Sequence, residues 1–473
     1  MLDLAIVGAG AAGTFVANEI ARRRPDWSVV LFERTDRIGG RLRSVRVPDA
    51  PHPIELGGMR YLTSHRFVDR AAADLGLATH AFDIGRGPDR CFLRGVTSTG
   101  AGDPRSGAGY DLAADEAGHS AADLLVAAFE RIVPGAAAMD LGAWDRSRAT
   151  LQFRDRPLRD WAIGDALADV LSASAHRFVN DAFGYDSGLR GQNAADAIPY
   201  LLGAGDPSAV ARTPDEGMQA LPIGLAAAFE ANGGQILIRH ELLALDAGAG
   251  RHRLRFANGA SVDARRVVLA LTAPALRRLA VESAVLREPR AREVLSSVDA
   301  WPAIKLYAWY ERPWWRDDGI NGMRTTTDLP PRKIFYFDEP GTKGPAILLA
   351  AYTDGRDTEP WQALADGSPP GSAAPAPMIE ALAGQLQAIH PKAGPIPPPL
   401  GSAVMHWGSD PNETGWHYWS AGANSSDVIA AAIQPHAELE LFLCGEAFSR
   451  LQAWVEGAFE SAAAVVDRMT HVG

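Results

Sequence analysis

The chain has 473 residues, 47% hydrophobic and 22% charged, the balance of an ordinary globular protein with enough length for about three domains. Its 57 acidic residues outnumber 46 basic ones, a net charge of −11 that argues against a nucleic-acid partner. Two cysteines, Cys91 and Cys444, exclude a disulfide framework or a cysteine-rich metal site. The 12 histidines show no zinc-ligand spacing, so no metal is expected. No run of 18 apolar residues offers a membrane span. The first residues read as a buried strand without a basic leader, which predicts a cytoplasmic protein.

In chain order, Leu2 to Val7 is an apolar run closed by glycine, the pattern of a buried parallel strand. A glycine turn and a helix to about Arg24 follow, stopped by Pro25. Trp27 to Glu33 is a second buried strand, so a strand-helix-strand unit spans the first thirty-odd residues. Residues 95–120 are rich in Gly, Ser, Ala and Asp and read as a loop. Residues 120–200 read as helices without strand signals. A helix and a strand are expected over 217–246. A hairpin with an Asn258-Gly259 turn ends in the apolar strand Ser261 to Leu271. Residues 303–352 read as strands. Residues 366–402 read as a Pro/Gly/Ala-rich surface excursion around one helix. Leu439 to Cys444 is a last strand, and a helix runs from about Trp454 to Met469.

Gly8-Ala9-Gly10-Ala11-Ala12-Gly13 follows the first strand and opens the first helix. Gly8 permits a tight turn, Gly10 lets the backbone approach a pyrophosphate, and Gly13 lets the helix pack on the strand. Glu33 stands twenty residues on, at the end of the next strand, where an acid binds a ribose hydroxyl and disfavours a 2′-phosphate. Whether the dinucleotide is NAD or FAD turns on the next segment. Arg37-Ile38-Gly39-Gly40-Arg41 offers a second approach to the pyrophosphate, which a nicotinamide dehydrogenase does not need.

These segments, with Glu55-Leu56-Gly57-Gly58-Met59-Arg60, Gly445-Glu446 and Trp454-Val455-Glu456-Gly457, resemble the flavin amine oxidase family. The order Lys305-Leu306-Tyr307, Trp314-Trp315-Arg316-Asp317-Asp318-Gly319 and Thr326-Thr327-Asp328-Leu329-Pro330 resembles its L-amino acid oxidase branch. The resemblance covers most of the chain and is weakest between about 90 and 200. It implies an α/β fold: a discontinuous Rossmann-like FAD domain (1–64, 214–296, 437–473), a mixed-sheet substrate domain (65–117, 297–436) and a helical insertion (118–213).

The resemblance further implies non-covalent FAD, since residues 403–422 hold no cysteine where relatives with linked flavin carry one. FAD contacts are expected from Gly8, Gly10, Ala12, Gly13, Glu33, Arg34, Gly40, Arg41, Gly57, Gly58, Met59, Arg60, Leu242, Gly445, Glu446, Trp454 and Val455. Lys305 matches the lysine that binds a water at flavin N5 and assists reoxidation by O2. Arg60 matches the arginine that holds the substrate carboxylate, a bidentate pairing. Tyr352, Trp419, Ala453 and Trp454 complete the expected substrate site. Ala453 stands where many relatives have glycine. Asn193 to Leu202 carries no histidine, so no external base is expected there.

The implied activity is oxidative deamination of an L-amino acid to a 2-oxo acid, ammonia and hydrogen peroxide. The aromatic stretch Trp416-His417-Tyr418-Trp419 favours a large apolar or aromatic side chain; an inward-facing acid would favour lysine or arginine instead. Alternatives are an oxidative decarboxylase giving an amide and a mono- or polyamine oxidase, against which Arg60 counts. A homodimer is expected.

Overall fold

Leu2–Val7 alternates between two cores. Leu4 and Ile6 face one side, with Val16 and Ile20 of the helix Ala11–Arg23 and Val465 and Val466 of the helix Val455–Thr470. Ala5 and Val7 face the other, with Leu254, Val267 and Leu276. From Leu4 to Val7 the strand is buried on both faces and must be apolar, which is why this run reads so clearly. The computed structural model describes residues 1–82, 89–203, 208–320, 324–337, 344–365 and 367–470.

The first sheet has the strand order 235–237, 29–32, 2–7, 261–269, 251–256, 242–248. Its parallel half contains the first two strands. The long strand Ser261–Leu269 serves three neighbours. Its start pairs with Arg251–Phe256 in the expected hairpin, and its end runs parallel to both Leu2–Val7 and Leu441–Leu443. The N- and C-terminal glycine motifs thus arrive at the same edge of one sheet.

The second sheet has seven strands in the order 401–407, 303–310, 346–354, 333–337, 324–327, 90–93, 96–98. All its pairings are antiparallel except 324–327 with 90–93. Residues 321–323 and 338–343 of the stretch read as strands lie outside the described residues. The helices Ala121–Ile132, Ile163–Val170, Ala173–Phe183 and Ala194–Leu201 build a separate core around Phe129, Trp144, Leu167 and Phe178.

Three sequence expectations need correction. A short antiparallel hairpin, Gln152–Phe153 with Arg156–Pro157, interrupts the helical stretch, too brief to show an alternating pattern. The loop 95–120 contributes the edge strand Val96–Ser98. The helix Ala376–Ile389 is no mere surface excursion: Met378, Leu382, Leu386 and Ile389 pack into the core of the second sheet, a spacing of one helical face.

Candidate active site

A single cleft runs from the first sheet's glycine turns to the face of the second sheet. Gly8, Gly10 and Ala12 line its start, and Gly39 and Gly40 lie against them. Gly8 has φ +103, and a Cβ there would stand 2.5 Å from the Ala270 carbonyl oxygen. The two glycine turns touch: a Cβ on Gly40 would lie 3.1 Å from the Gly10 Cα. No side chain caps the helix at Gly10 and no acid occupies its first turn, so its N-terminal N–H groups face the cleft without a protein anion. This is a cradle for phosphate. Gly13 does not reach the cleft. It lets the helix seat, since its Cβ would fall 1.8 Å from the Gly8 carbonyl oxygen.

Glu33 lines the cleft and is fixed there by accepting from the Ala9 N–H at 2.9 Å and from the Thr35 N–H and hydroxyl. Arg34 and Leu242 line the same end, with Arg34 paired to Asp410 and Glu413. Arg37 spends its guanidinium on the Gly40 and Leu42 carbonyls, pinning the second glycine turn.

Glu446 is the anchor of the cleft wall. Its carboxylate accepts from Arg41 Nη1 at 2.7 Å, the His417 N–H, His417 Nδ1 and the Ala453 N–H, each at 2.9 Å. Burial alone would raise its pKa, but Arg41, His417 and these hydrogen bonds hold it far below the ordinary carboxylate range. His417 Nε2 accepts from the Ala273 N–H, so Nδ1 carries the proton given to Glu446 and the ring is neutral. Glu446→Gln offers an N–H where only acceptors fit. We expect a loss of about 3 kcal/mol, read as a lower unfolding midpoint with weaker cofactor retention; an unchanged midpoint would disprove this role.

Ala453 adopts φ +66, a conformation that costs an L-residue energy and that its N–H bond to Glu446 enforces. Glycine would enter freely, so the alanine methyl is retained against a backbone penalty. Trp454 and Val455 follow on the cleft wall. His65 packs edge-on against Trp454, with ring centroids 4.9 Å apart.

At the far end, Lys305 lines the cleft, 2% exposed, donating to the Gly57 carbonyl at 2.5 Å and the Glu55 carbonyl at 3.1 Å. Burial lowers its pKa, opposed by the Glu55 carboxyl, and Arg60 lowers it further. Burial raises that of Glu55. Lys305 Nζ lies 4.7 Å from the centroid of Tyr352, the residue opposite it in the sheet. Gly57 and Gly58 complete this wall.

Arg60 lies just beyond the cleft lining, over Phe82. Burial lowers its pKa, and the phenols of Tyr185, Tyr352 and Tyr200 are its electrostatic neighbours. Among the described residues no carboxylate pairs with it, whereas most interior arginines here, such as Arg90 and Arg148, have one. The tyrosine cage could not be read in advance. Tyr185 and Tyr200 come from the helical stretch with no motif around them, and only the packing of that insertion brings them to Tyr352.

Besides Gly13 and Arg60, which stand outside the cleft lining, two more expected contacts are corrected. Met59 points away from the cleft into the core with Val47, Leu56 and Phe335. Trp419 is buried among Val298, Leu441 and Phe448 beneath the cleft. The strand Trp416–Trp419 alternates, so Trp416 faces the cleft and Trp419 cannot. Trp416 is the aromatic wall instead, with its Nε1 donating to Ser187 Oγ at 3.0 Å.

The cleft joins a phosphate cradle, an acid at the ribose position and a long channel ending on a lysine, and these features fit FAD, the chain's cofactor. Residues 11–470 match the family model for flavin-containing amine oxidoreductases. The chain is 28% identical to aplysianin-A of Aplysia kurodai over 98% of its own length and 89% of that protein. It is 27% identical to achacin of Lissachatina fulica over 99% and 93%. With the L-amino-acid oxidase of Mus musculus it shares 24% identity over 96% and 69%. Among solved structures, putrescine oxidase superposes with a TM-score of 0.74 at 18% identity, covering 99% of this chain and 98% of that one. Cyclohexylamine oxidase from Brevibacterium oxydans IH-35A gives 0.72 at 19%, covering 99% of each, so both show the same fold. With the family model covering nearly the whole sequence, the chain belongs to the flavin-containing amine oxidoreductase family.

Proposed function

We propose that this enzyme oxidises an L-amino acid, with O2 and water, to a 2-oxo acid, ammonia and hydrogen peroxide. Arg60 carries the reading: a buried guanidinium, caged by tyrosines and paired with no carboxylate among the described residues, needs an anionic ligand. A substrate carboxylate supplies it, bidentate on the fork. Relatives named L-amino acid oxidases support this reading.

Bound FAD would supply the two-electron acceptor, taking the electrons of the Cα–H bond as a hydride while the Cα–N bond becomes that of an imine, and would pass them on to oxygen. Residues of the chain do the rest. Arg60 and Tyr352 hold the carboxylate and so fix which face of Cα is presented. Trp416, Trp454 and Ala453 wall the site and exclude water. Arg60 and Lys305 make the pocket positive, which disfavours an ammonium and delivers the amine in its neutral, reactive form without a dedicated base. Lys305 holds a proton at the cleft wall. The reading extends to a cytoplasmic homodimer.

The cofactor is held without a covalent bond in this proposal. Cys91 and Cys444 are buried in cores, and neither lines the cleft. Acid precipitation should leave the flavin in the supernatant; yellow colour that stays with the washed pellet would refute this. The activity is tested by a peroxide assay across L-amino acids, with mass spectrometry of the product. Formation of an amide, or oxidation of amines alone, would overturn it.

A further inference from the structure

Lys333 is a second interior cation that the activity proposed above does not use. Lys305 and Lys333 are both directly opposite Tyr352, on the two strands that flank it. Opposed residues of antiparallel strands project on the same face, so the three side chains form one row: Lys305, Tyr352, Lys333. Lys333 Nζ lies 4.6 Å from the centroid of Tyr185, whose ring is 5.3 Å from that of Tyr352. Tyr185 is also an electrostatic neighbour of Arg60. Arg60 and Lys333 are therefore both neighbours of Tyr185.

Protein surrounds Lys333, and burial lowers its pKa to about 7. Part of its surface nevertheless stays accessible, as it does for Arg60, Tyr185, Tyr352 and Trp416. Tyr352 and Trp416 line the cavity of the cleft, and Tyr185, in ring contact with both, joins Lys333 to them. Among the described residues no side-chain hydrogen bond or ion pair holds the Lys333 ammonium, which lies over the faces of Tyr185 and Phe183, and a cation over a ring recovers less than a buried ammonium loses on desolvation.

Acids near this cavity are already engaged. Asp354, on the same face as Tyr352, accepts from the Asp186 N–H at 2.8 Å, the Ser187 N–H at 3.0 Å and the Ser187 hydroxyl. Asp89 pairs with Arg324, and Asp186 with Arg190 and Arg356. Asp181 accepts from Tyr110 and Asp357 pairs with Arg332. Among the described residues, Arg60 and Lys333 form no ion pair with a carboxylate; Lys305 rests on backbone carbonyls, and Asp89, the acid that acts on Lys333, is held by Arg324. Among the described residues no unengaged acid is offered to a basic substrate side chain, while Arg60 and Lys333 are offered to anions.

We propose that Lys333 is a specificity residue that binds a carboxylate on the substrate's side chain, so that the preferred substrate is acidic, L-glutamate or L-aspartate. This rests on the amino-acid reading above, in which Arg60 takes the α-carboxylate. The side chain then spans the Tyr352–Tyr185 surface, with its terminal carboxylate on Lys333. Trp416, tied to Ser187 and through it to Asp354, forms the side wall.

The test compares kcat/KM for L-glutamate, L-aspartate, L-leucine, L-phenylalanine and L-lysine in the wild-type holoenzyme, Lys333→Met and Lys333→Gln. Binding of glutarate and of butyrate, read from perturbation of the flavin spectrum, supplies a measurement without turnover. The expected wild type favours an acidic amino acid and binds glutarate more tightly than butyrate. Either substitution should lower the acidic-to-neutral kcat/KM ratio by about a hundredfold or more, the scale of losing one partner of a desolvated ion pair. Neutral substrates preferred by the wild type, or a ratio that survives both substitutions, would overturn the role of Lys333 while leaving amino-acid oxidation intact. Oxidation of no L-amino acid would remove both proposals. Should both variants lose their flavin, the wild-type preference and the glutarate-to-butyrate comparison still decide.

Discussion

Arg60→Ala should slow the reductive half-reaction with an L-amino acid by about two to four decades. The substitution leaves the substrate carboxylate unpaired in a site walled by Tyr185, Tyr352 and Trp416. Breaking a buried charged pair costs about 3–5 kcal/mol, and each decade of rate corresponds to about 1.4 kcal/mol. Arg60→Lys should recover only part of this, because a point charge does not reproduce the planar fork. Stopped-flow bleaching of the flavin under anaerobic conditions at low substrate reads the effect. Wild-type reduction of Arg60→Ala would sink the carboxylate assignment and favour an amine lacking that group.

Lys305→Met should fail in the other half of the cycle. The ammonium sits on the cleft wall on two backbone carbonyls, Glu55 and Gly57. Oxygen gains negative charge as it is reduced, and a preorganised cation beside it supplies the kind of stabilisation whose loss costs about a hundred- to a thousandfold. Methionine keeps the shape of the lysine stem, so the fold and the carboxylate site persist. We expect reoxidation by O2 to slow far more than reduction by substrate. The pH profile adds a second reading. Burial brings the Lys305 pKa down from the ordinary lysine range, so raising the pH removes its charge earlier than for an exposed lysine. Wild-type reoxidation should therefore fall as pH rises through that titration, and Lys305→Met should lose the dependence. The nearby Glu55 carboxyl, Arg60, Tyr307 and Tyr352 surround this group and shape its titration. Normal reoxidation in Lys305→Met would show that the lysine has another task.

The cofactor half of the protein was legible because its signals are local. Gly8 and Gly13 are required by backbone geometry within one turn, where a Cβ meets a carbonyl oxygen, and Gly10 leaves the backbone bare where a pyrophosphate approaches. Leu4 to Val7 and Val267 to Leu269 lie in the parallel part of the sheet, covered on both faces, so these runs must be uniformly apolar. Glu33 follows from the length of one strand-helix-strand unit. Even the meeting of Gly445-Glu446 with Gly8–Gly13, across more than four hundred residues, was implied by two motifs serving one ligand.

The substrate end was set by tertiary structure, for a different reason. Its groups come from separated elements: Arg60 after a glycine loop, Tyr185 and Tyr200 from the helical insertion, Lys305, Lys333 and Tyr352 from three strands. No spacing along the chain encodes that Lys305 and Lys333 flank Tyr352; strand register does. Register also decided between Trp416 and Trp419, since a two-residue period sends one to the cleft and neighbouring residues to the core. Met59 shows the same limit, standing beside two cleft glycines while its own side chain packs inward. By itself the sequence determined the cofactor chemistry, written in backbone constraints that neighbouring residues must satisfy together. Only the fold decided which side chains face the substrate, because charge left unpaired in the interior, as at Arg60 and Lys333, appears only once every possible partner has a place.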